Sequence, residues 1–184
     1  MSAKHSITKS DYIEYDVALN KGRKLMSDKK TQIIGFYIII AINTGLRVSD
    51  LLSLEHNDLS NGYKEFREQK TNKPKKIVFN DAIIDAYNLL SNQRSGFIFL
   101  SQKGHVFVTQ SINRRLKSIF PQKNKNISSH SLRKSFGRRV WTNNNESESS
   151  LIKLSEIFNH SSIKITRTYL GITQDEIEDV YMNL

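Results

Sequence analysis

The densest apolar stretch of the chain, Ile33 to Ile42, sets Ile33, Ile34, Phe36, Tyr37, Ile38, Ile39 and Ile40 on every side of a helical wheel. A helix with no polar face belongs in the middle of a core. The pattern therefore predicts a buried helix from about Lys29 to Asn43, closed by Gly45. The stretch is about half as long as a bilayer span requires. Ahead of it, Tyr12, Tyr15, Val17 and Leu19 supply the apolar face of a helix that runs to about Leu25, with Thr8 or Ser10 as its cap. A short helix from Val48 to Leu54 begins just after Arg47 and places that arginine at a turn between two packed helices.

Between Asp58 and Phe79 the pattern changes. Tyr63 and Phe66 on one side, and Ile77, Val78 and Phe79 on the other, flank the polar stretch Lys70, Thr71, Asn72, Lys73, Pro74. Such flanking predicts a β-hairpin, open to extension by a third strand at Phe97 to Leu100. Helical stretches return at Asp81 to Ser91, Thr109 to Phe120, Ser129 to Asn143, Ser147 to Phe158 and Ile163 to Leu170. The expected fold class is α+β, mainly helical, with a small antiparallel β-hairpin or three-stranded sheet. Pro121 to Ser128 and Thr142 to Ser150 look like loops but are too short for domain linkers. With no internal repeat, residues 1–184 read as a single domain.

Composition narrows the function. The chain has no cysteine, which excludes a disulfide framework and thiolate metal sites and makes a cytoplasmic location the expectation. The first ten residues hold no apolar signal core, and no membrane partner is expected. The net charge is +10, unevenly spread: from Leu170 onward there are four acids (Asp175, Glu176, Glu178, Asp179) and no Lys or Arg. The remainder carries 28 bases against 14 acids, or +14. That excess attracts polyanions, because each neutralised phosphate releases condensed counterions; a merely solvated basic surface is the alternative.

Three groups of residues carry candidate chemistry. In SSHSLRKSFGRRVW, Ser128 or Ser129 caps a helix whose first turn holds His130 and Arg133 on one face, offering an imidazole and a guanidinium fork to one anion beside a helix N-terminus. In FNHSSIKITRTYLGI, His160 closes one helix and Tyr169 lies near the end of the next, nine residues on. In NTGLRVSDLLSL, Arg47 follows the apolar helix with Asp50 near enough to orient it. Taken singly, each has an ordinary structural explanation: a cap with a solvated basic face, an amphipathic core tyrosine, an Arg–Asp pair.

Together, in order and in local wording (GLRxSD, a hairpin lysine, HSLR, then NHSS with a tyrosine nine residues later), the motifs resemble the catalytic domain of the tyrosine recombinases, the phage-integrase family. The resemblance covers Thr8 to Leu170. It implies that Arg47 and Arg133 clamp the phosphate, that His130 is the motif histidine, that His160 fills the position of the family's second histidine or tryptophan, and that Tyr169 is the nucleophile. The catalytic lysine of the family belongs to the hairpin turn, where QKTNKPKK offers Lys70, Lys73, Lys75 and Lys76; Lys70 fits best. The implied activity is site-specific DNA recombination through a 3′-phosphotyrosyl intermediate, with double-stranded DNA as partner, a homo-oligomer (a tetramer) on that DNA, and no cofactor or metal.

The residue types suit that reaction. Attack on a phosphodiester builds charge on the nonbridging oxygens, and two arginines there supply the stabilisation that metal ions give elsewhere. Tyrosine, with an ordinary pKa near ~10, needs nearby cations or a base such as His130 to act as a nucleophile. The departing 5′ oxygen needs a proton, for which Lys70 on a hairpin is the candidate general acid, while His160 hydrogen-bonds the phosphate. Most family members precede this domain with a helical DNA-binding domain, which is expected to be absent here. Residues 173–184 form a tail whose Ile177, Val180, Tyr181 and Leu184 recur at helical spacing. Two other readings remain open: type IB topoisomerase-like relaxation of DNA, and a non-catalytic DNA-binding protein of the same fold.

Overall fold

The computed structural model describes residues 10–90, 95–123, 125–172 and 181–183. Its centre is α2 (Gln32–Thr44), buried along almost its whole length, as its apolar circumference requires. Against it pack α1 (Tyr15–Met26), α5 (Asp81–Asn88) and α7 (Ser129–Asn143). Two short helices, α3 (Val48–Leu52) and α4 (His56–Ser60), lead from α2 into an antiparallel hairpin of β1 (Tyr63–Arg67) and β2 (Pro74–Val78). Further along the described residues lie the helices α6 (Thr109–Ile119), α8 (Glu148–Phe158) and α9 (Ile163–Leu170). A second apolar cluster of Trp141, Leu151, Leu154, Phe158, Leu170 and Ile172 joins α7, α8 and α9. Because α7 contributes Leu132 to the main core and Trp141 to this cluster, it ties the two together.

The helices whose ends carry local caps lie where the sequence puts them. Ser128, Ser147 and Ser162 accept backbone N–H groups at the starts of α7, α8 and α9. Elsewhere the structure corrects the expectation. The first helix starts at Tyr15 after an uncapped Glu14, not at Ser10; Thr8 lies outside the described residues. Ser10 instead hydrogen-bonds Ser128 Oγ at 2.7 Å. The buried face of α1 is Ala18, Gly22 and Met26; the small Ala18 and Gly22 let it lie close on α2, while Val17 is exposed.

Part of the stretch read as hairpin is the helix α4, started by a reciprocal cap between Glu55 and Asp58. The sheet is the two-stranded form: Phe97 and Leu100 make only isolated bridges, to Glu55 and Val106. The neighbours Ile98 and Phe99 are both buried, and Phe99 stacks on Phe36 in the core. The tail stripe Ile177, Val180 and Leu184 lies outside the described residues.

Candidate active site

Two arginines meet at the end of α8. Gly45 caps α2 in the left-handed conformation (φ 60°), and a Cβ there would stand 2.3 Å from the Phe136 ring, so only glycine turns the chain at this point. Two residues on, Arg47 enters α3 and sends its Nη2 to the Phe158 carbonyl at 3.1 Å. Arg133, one turn into α7 and buried, donates to the Gly45 carbonyl through Nη1 and to the same Phe158 carbonyl through Nη2, also at 3.1 Å. Its guanidinium lies 4.3 Å over the Phe158 ring. Burial draws Arg133 down to about 10, which leaves it charged at neutral pH. Both forks thus end on one of the carbonyls that a helix C-terminus leaves unpaired, where the helix dipole favours cations.

The hairpin is fastened to the same point. Glu68, at the end of β1, has a side chain with 0% exposure, yet it holds Arg47 Nη1 at 2.5 Å and Lys75 Nζ at 3.2 Å. It also accepts from Thr71 Oγ1 and Asn159 Nδ2, each at 2.7 Å. Burial pushes the carboxyl up, but the hydrogen bonds of Thr71 and Asn159, the Arg47 ion pair and the charge of Lys75 outweigh that and hold it at about 2. Lys75 also donates to the Ile157 carbonyl at 2.6 Å.

Asp50, the acid expected to orient Arg47, has a different hydrogen-bond partner. It accepts the backbone N–H of Gln69 at 3.1 Å, tethering the hairpin beside Lys70, and burial raises its carboxyl above the ordinary range. The two acids have exchanged roles across the gap: the one in the arginine motif holds the hairpin, and the one in the hairpin holds the arginine.

Among the four hairpin lysines only Lys70 lines the cleft of about 180 Å³ that Arg47, Ser129, His130 and Arg133 enclose. Lys75 is engaged beneath the hairpin by Glu68 and Ile157. Lys76 pairs with Glu65 at 2.8 Å on the outer face, and Lys73 is exposed at the turn. A larger cleft of about 720 Å³ lies at the other end of α2, beside Lys29, Lys30 and Lys103, and contains none of the candidate residues. Among the described residues no group of three or more His, Asp or Glu could hold a metal ion.

Tyr169 packs edge-on against three rings: His160 at 5.3 Å, Phe158 at 5.5 Å and His130 at 6.5 Å between centroids. Its hydroxyl lies 3.5 Å from the His130 carbonyl, a long contact that leaves it available. Gly137 brings it there, since a Cβ at that place would stand 2.6 Å from Leu170 and push α9 off α7. Burial pushes the phenol up to about 12, against the lowering pull of Arg133 and Arg47. His160 is held by Thr166, whose fully buried hydroxyl lies 3.0 Å from Nδ1; when that hydroxyl donates, Nε2 carries the proton as a donor. Burial, then the charges of Arg133 and Arg47, lower His160 to about 4. His130 at the cleft rim is also lowered, first by desolvation and then by Arg133, Lys70, Lys134 and Arg47. Both imidazoles are therefore neutral near pH 7.

All six residues singled out from the sequence come together here, four around the cleft and His160 and Tyr169 beside it. Three others were missed. Glu68 carried a signal, since it follows Lys64 and Phe66 on the inward register of β1 and is an acid where an apolar side chain is expected. Phe158 acts through its carbonyl and ring, and Thr166 through a contact six residues back, so neither is distinguishable by type.

The family model described as the phage integrase family matches residues 18–176. The "Probable integrase/recombinase YoeC" of Bacillus subtilis (strain 168) is 28% identical over 151 residues, covering 79% of this chain and 81% of its own. Tyrosine recombinase XerD of Listeria monocytogenes serotype 4b (strain F2365) is 30% identical over 152 residues, or 75% of this chain, but the match spans only 50% of the relative. The crystal structure of XerH site-specific recombinase bound to palindromic difH substrate, a post-cleavage complex, superposes with a TM-score of 0.65 at 20% identity, covering 95% of this chain and 53% of the other. At that identity the likeness concerns the fold.

Proposed function

The chain belongs to the phage integrase family, and from that premise we propose that it is a site-specific DNA recombinase that cuts and rejoins strands through Tyr169. The observation that carries this reading is the convergence of Arg47, Lys70, His130 and Arg133 on one cleft, with Tyr169 packed between His130 and His160. A scissile phosphate in the cleft meets two guanidinium forks already aimed by backbone carbonyls, so charge that develops on its nonbridging oxygens is stabilised without reorganisation. The Tyr169 oxygen attacks phosphorus, a P–O bond to tyrosine forms, and the bond to the 5′ oxygen breaks. With its phenol near 12, Tyr169 does not ionise beforehand; its proton passes to neutral His130 as attack proceeds, and Lys70 protonates the departing 5′ oxygen. His160 donates a hydrogen bond to the phosphate. The phosphotyrosyl bond conserves the energy of the broken one, so a 5′ hydroxyl reverses the steps and rejoining needs neither ATP nor metal.

Double-stranded DNA is the partner that the +14 excess of residues 1–169 favours. The relatives' names as integrase and recombinase favour recombination over topoisomerase-like relaxation or simple binding, and with it a homo-oligomer on DNA, a tetramer in which paired sites exchange strands. Residues 1–184 serve as the catalytic domain and 173–184 as its tail. No helix among the described residues is long and apolar enough to cross a membrane, and the bacterial cytoplasm is the compartment proposed. The test is a nicked suicide substrate that traps the covalent intermediate. Wild type accumulates a protein–DNA adduct, and Tyr169→Phe forms none while retaining DNA binding; undiminished trapping by Tyr169→Phe sinks the assignment.

A further inference from the structure

We infer that Glu68 is a positioning residue that sets the plane of Arg47 for the scissile phosphate. The inference rests on the cleavage reading above. A buried carboxylate beside a phosphate site is a liability, since its charge opposes that of the substrate. Its retention here calls for a compensating task, and the contrast between the two arginines supplies one.

Arg133 is fixed at two points by backbone carbonyls, Gly45 and Phe158, and braced by the Phe158 ring. Among the described residues, Arg47 has the Phe158 carbonyl alone from the backbone. A planar fork held at one point swivels about that bond. Held at two points, it has a defined plane. The second point for Arg47 is the ion pair of its Nη1 with Glu68, at 2.5 Å, a contact of charge rather than of aligned hydrogen bonding.

Glu68 is itself overdetermined. Thr71 from the hairpin turn and Asn159 from the junction of α8 and α9 converge on Oε2, and Lys75 on Oε1. Asn159 can reach it because it caps α8 in the left-handed conformation, with φ at 52°. The carboxylate therefore registers three separate chain segments on Arg47: the hairpin, the end of α8 and the turn into α3. Lys75 offsets its charge, so the site around the phosphate stays cationic.

Single-turnover cleavage of a suicide substrate at saturating DNA tests this with Glu68→Gln, which keeps the shape and removes the charge. Cleavage should slow by about 10²-fold while the Kd for DNA changes by less than about threefold. A substrate with sulfur at the bridging 5′ position should not restore it, because a thiolate leaves without a general acid and repairs only a defect in proton donation. The same substrate should restore Lys70→Ala. Should Glu68→Gln fail to fold, Glu68→Asp carries the test with the same expected unrestored loss, since a shorter side chain keeps the charge and misplaces it. Cleavage at the wild-type rate by the folded variant overturns the inference, as does full restoration by the bridging sulfur, which assigns Glu68 to Lys70 instead. A wild-type protein that forms no Tyr169-dependent adduct is a different result and sinks the cleavage reading itself.

Discussion

The two arginines and the hairpin turn face the same cleft but are built on opposite terms. Arg133 is buried and held by two carbonyls and a ring. Arg47 is held by a carbonyl and a buried carboxylate. Lys70 is exposed on a six-residue connection between two short strands, and the hairpin is fastened below it by Asp50, Glu68 and Lys75. In the proposed cleavage, charge stabilisation is preorganised whereas proton donation is delivered. The clamp must stand ready before the transition state, since reorganising it then would cost the energy it is meant to save. The general acid has to approach only one oxygen, and a tethered arm with a free tip suffices.

The largest effect is expected at the clamp. Arg133→Lys retains the charge but loses the fork, so it cannot reach the Gly45 and Phe158 carbonyls and the phosphate together. Cleavage should fall on the order of 10³-fold with DNA binding nearly intact; a loss under tenfold would show that a point charge suffices and that the built geometry is irrelevant. Next comes the arm: Lys70→Ala should slow cleavage of an ordinary phosphodiester by about 10²-fold, and Lys73→Ala, from the same turn, should leave it unchanged. Equal losses from both would mean that the turn acts through general charge.

The smallest effect concerns pH. His160 is lowered to about 4 in the folded protein against an ordinary value near 6.5. Its contribution is therefore fully present above pH ~6.5 and is lost as pH falls toward 4, where the folded state must take up a proton it excludes. Because His160 is only partly buried, about 1 kcal/mol is at stake. Denaturant unfolding at pH 7.5 and pH 5 should show that loss, and His160→Asn should abolish it; an unchanged slope in the variant would remove His160 from the rigid side of the comparison.

Much of this was legible in the residue pattern, for a physical reason that differs from element to element. The limits of α7 and α9 were readable because a serine one residue ahead of each closes a local hydrogen bond. The central helix was readable because its circumference is apolar throughout. α4 was not, since it depends on a reciprocal cap and on burial of His56 and Leu59 in a core the local sequence does not reveal. The start of α1 was misjudged because the better capping residue, Ser10, is taken by Ser128, 118 residues away.

The site divides the same way. Motif order and spacing determined which side chains could do the chemistry, because Arg47, His130, Arg133, His160 and Tyr169 each sit at a fixed offset from a helix end, and helix ends are locally encoded. Which hairpin lysine faces the cleft was decided by strand register, with Arg67 opposite Pro74, a pairing between segments that no offset fixes. Which acid holds Arg47 was likewise a tertiary choice. Asp50 is three residues from that arginine and Glu68 is twenty-one, yet Asp50 points to the hairpin and Glu68 to Arg47. Proximity along the chain sets what a side chain can reach, and only the packed backbone sets which partner leaves the fewest buried charges unpaired.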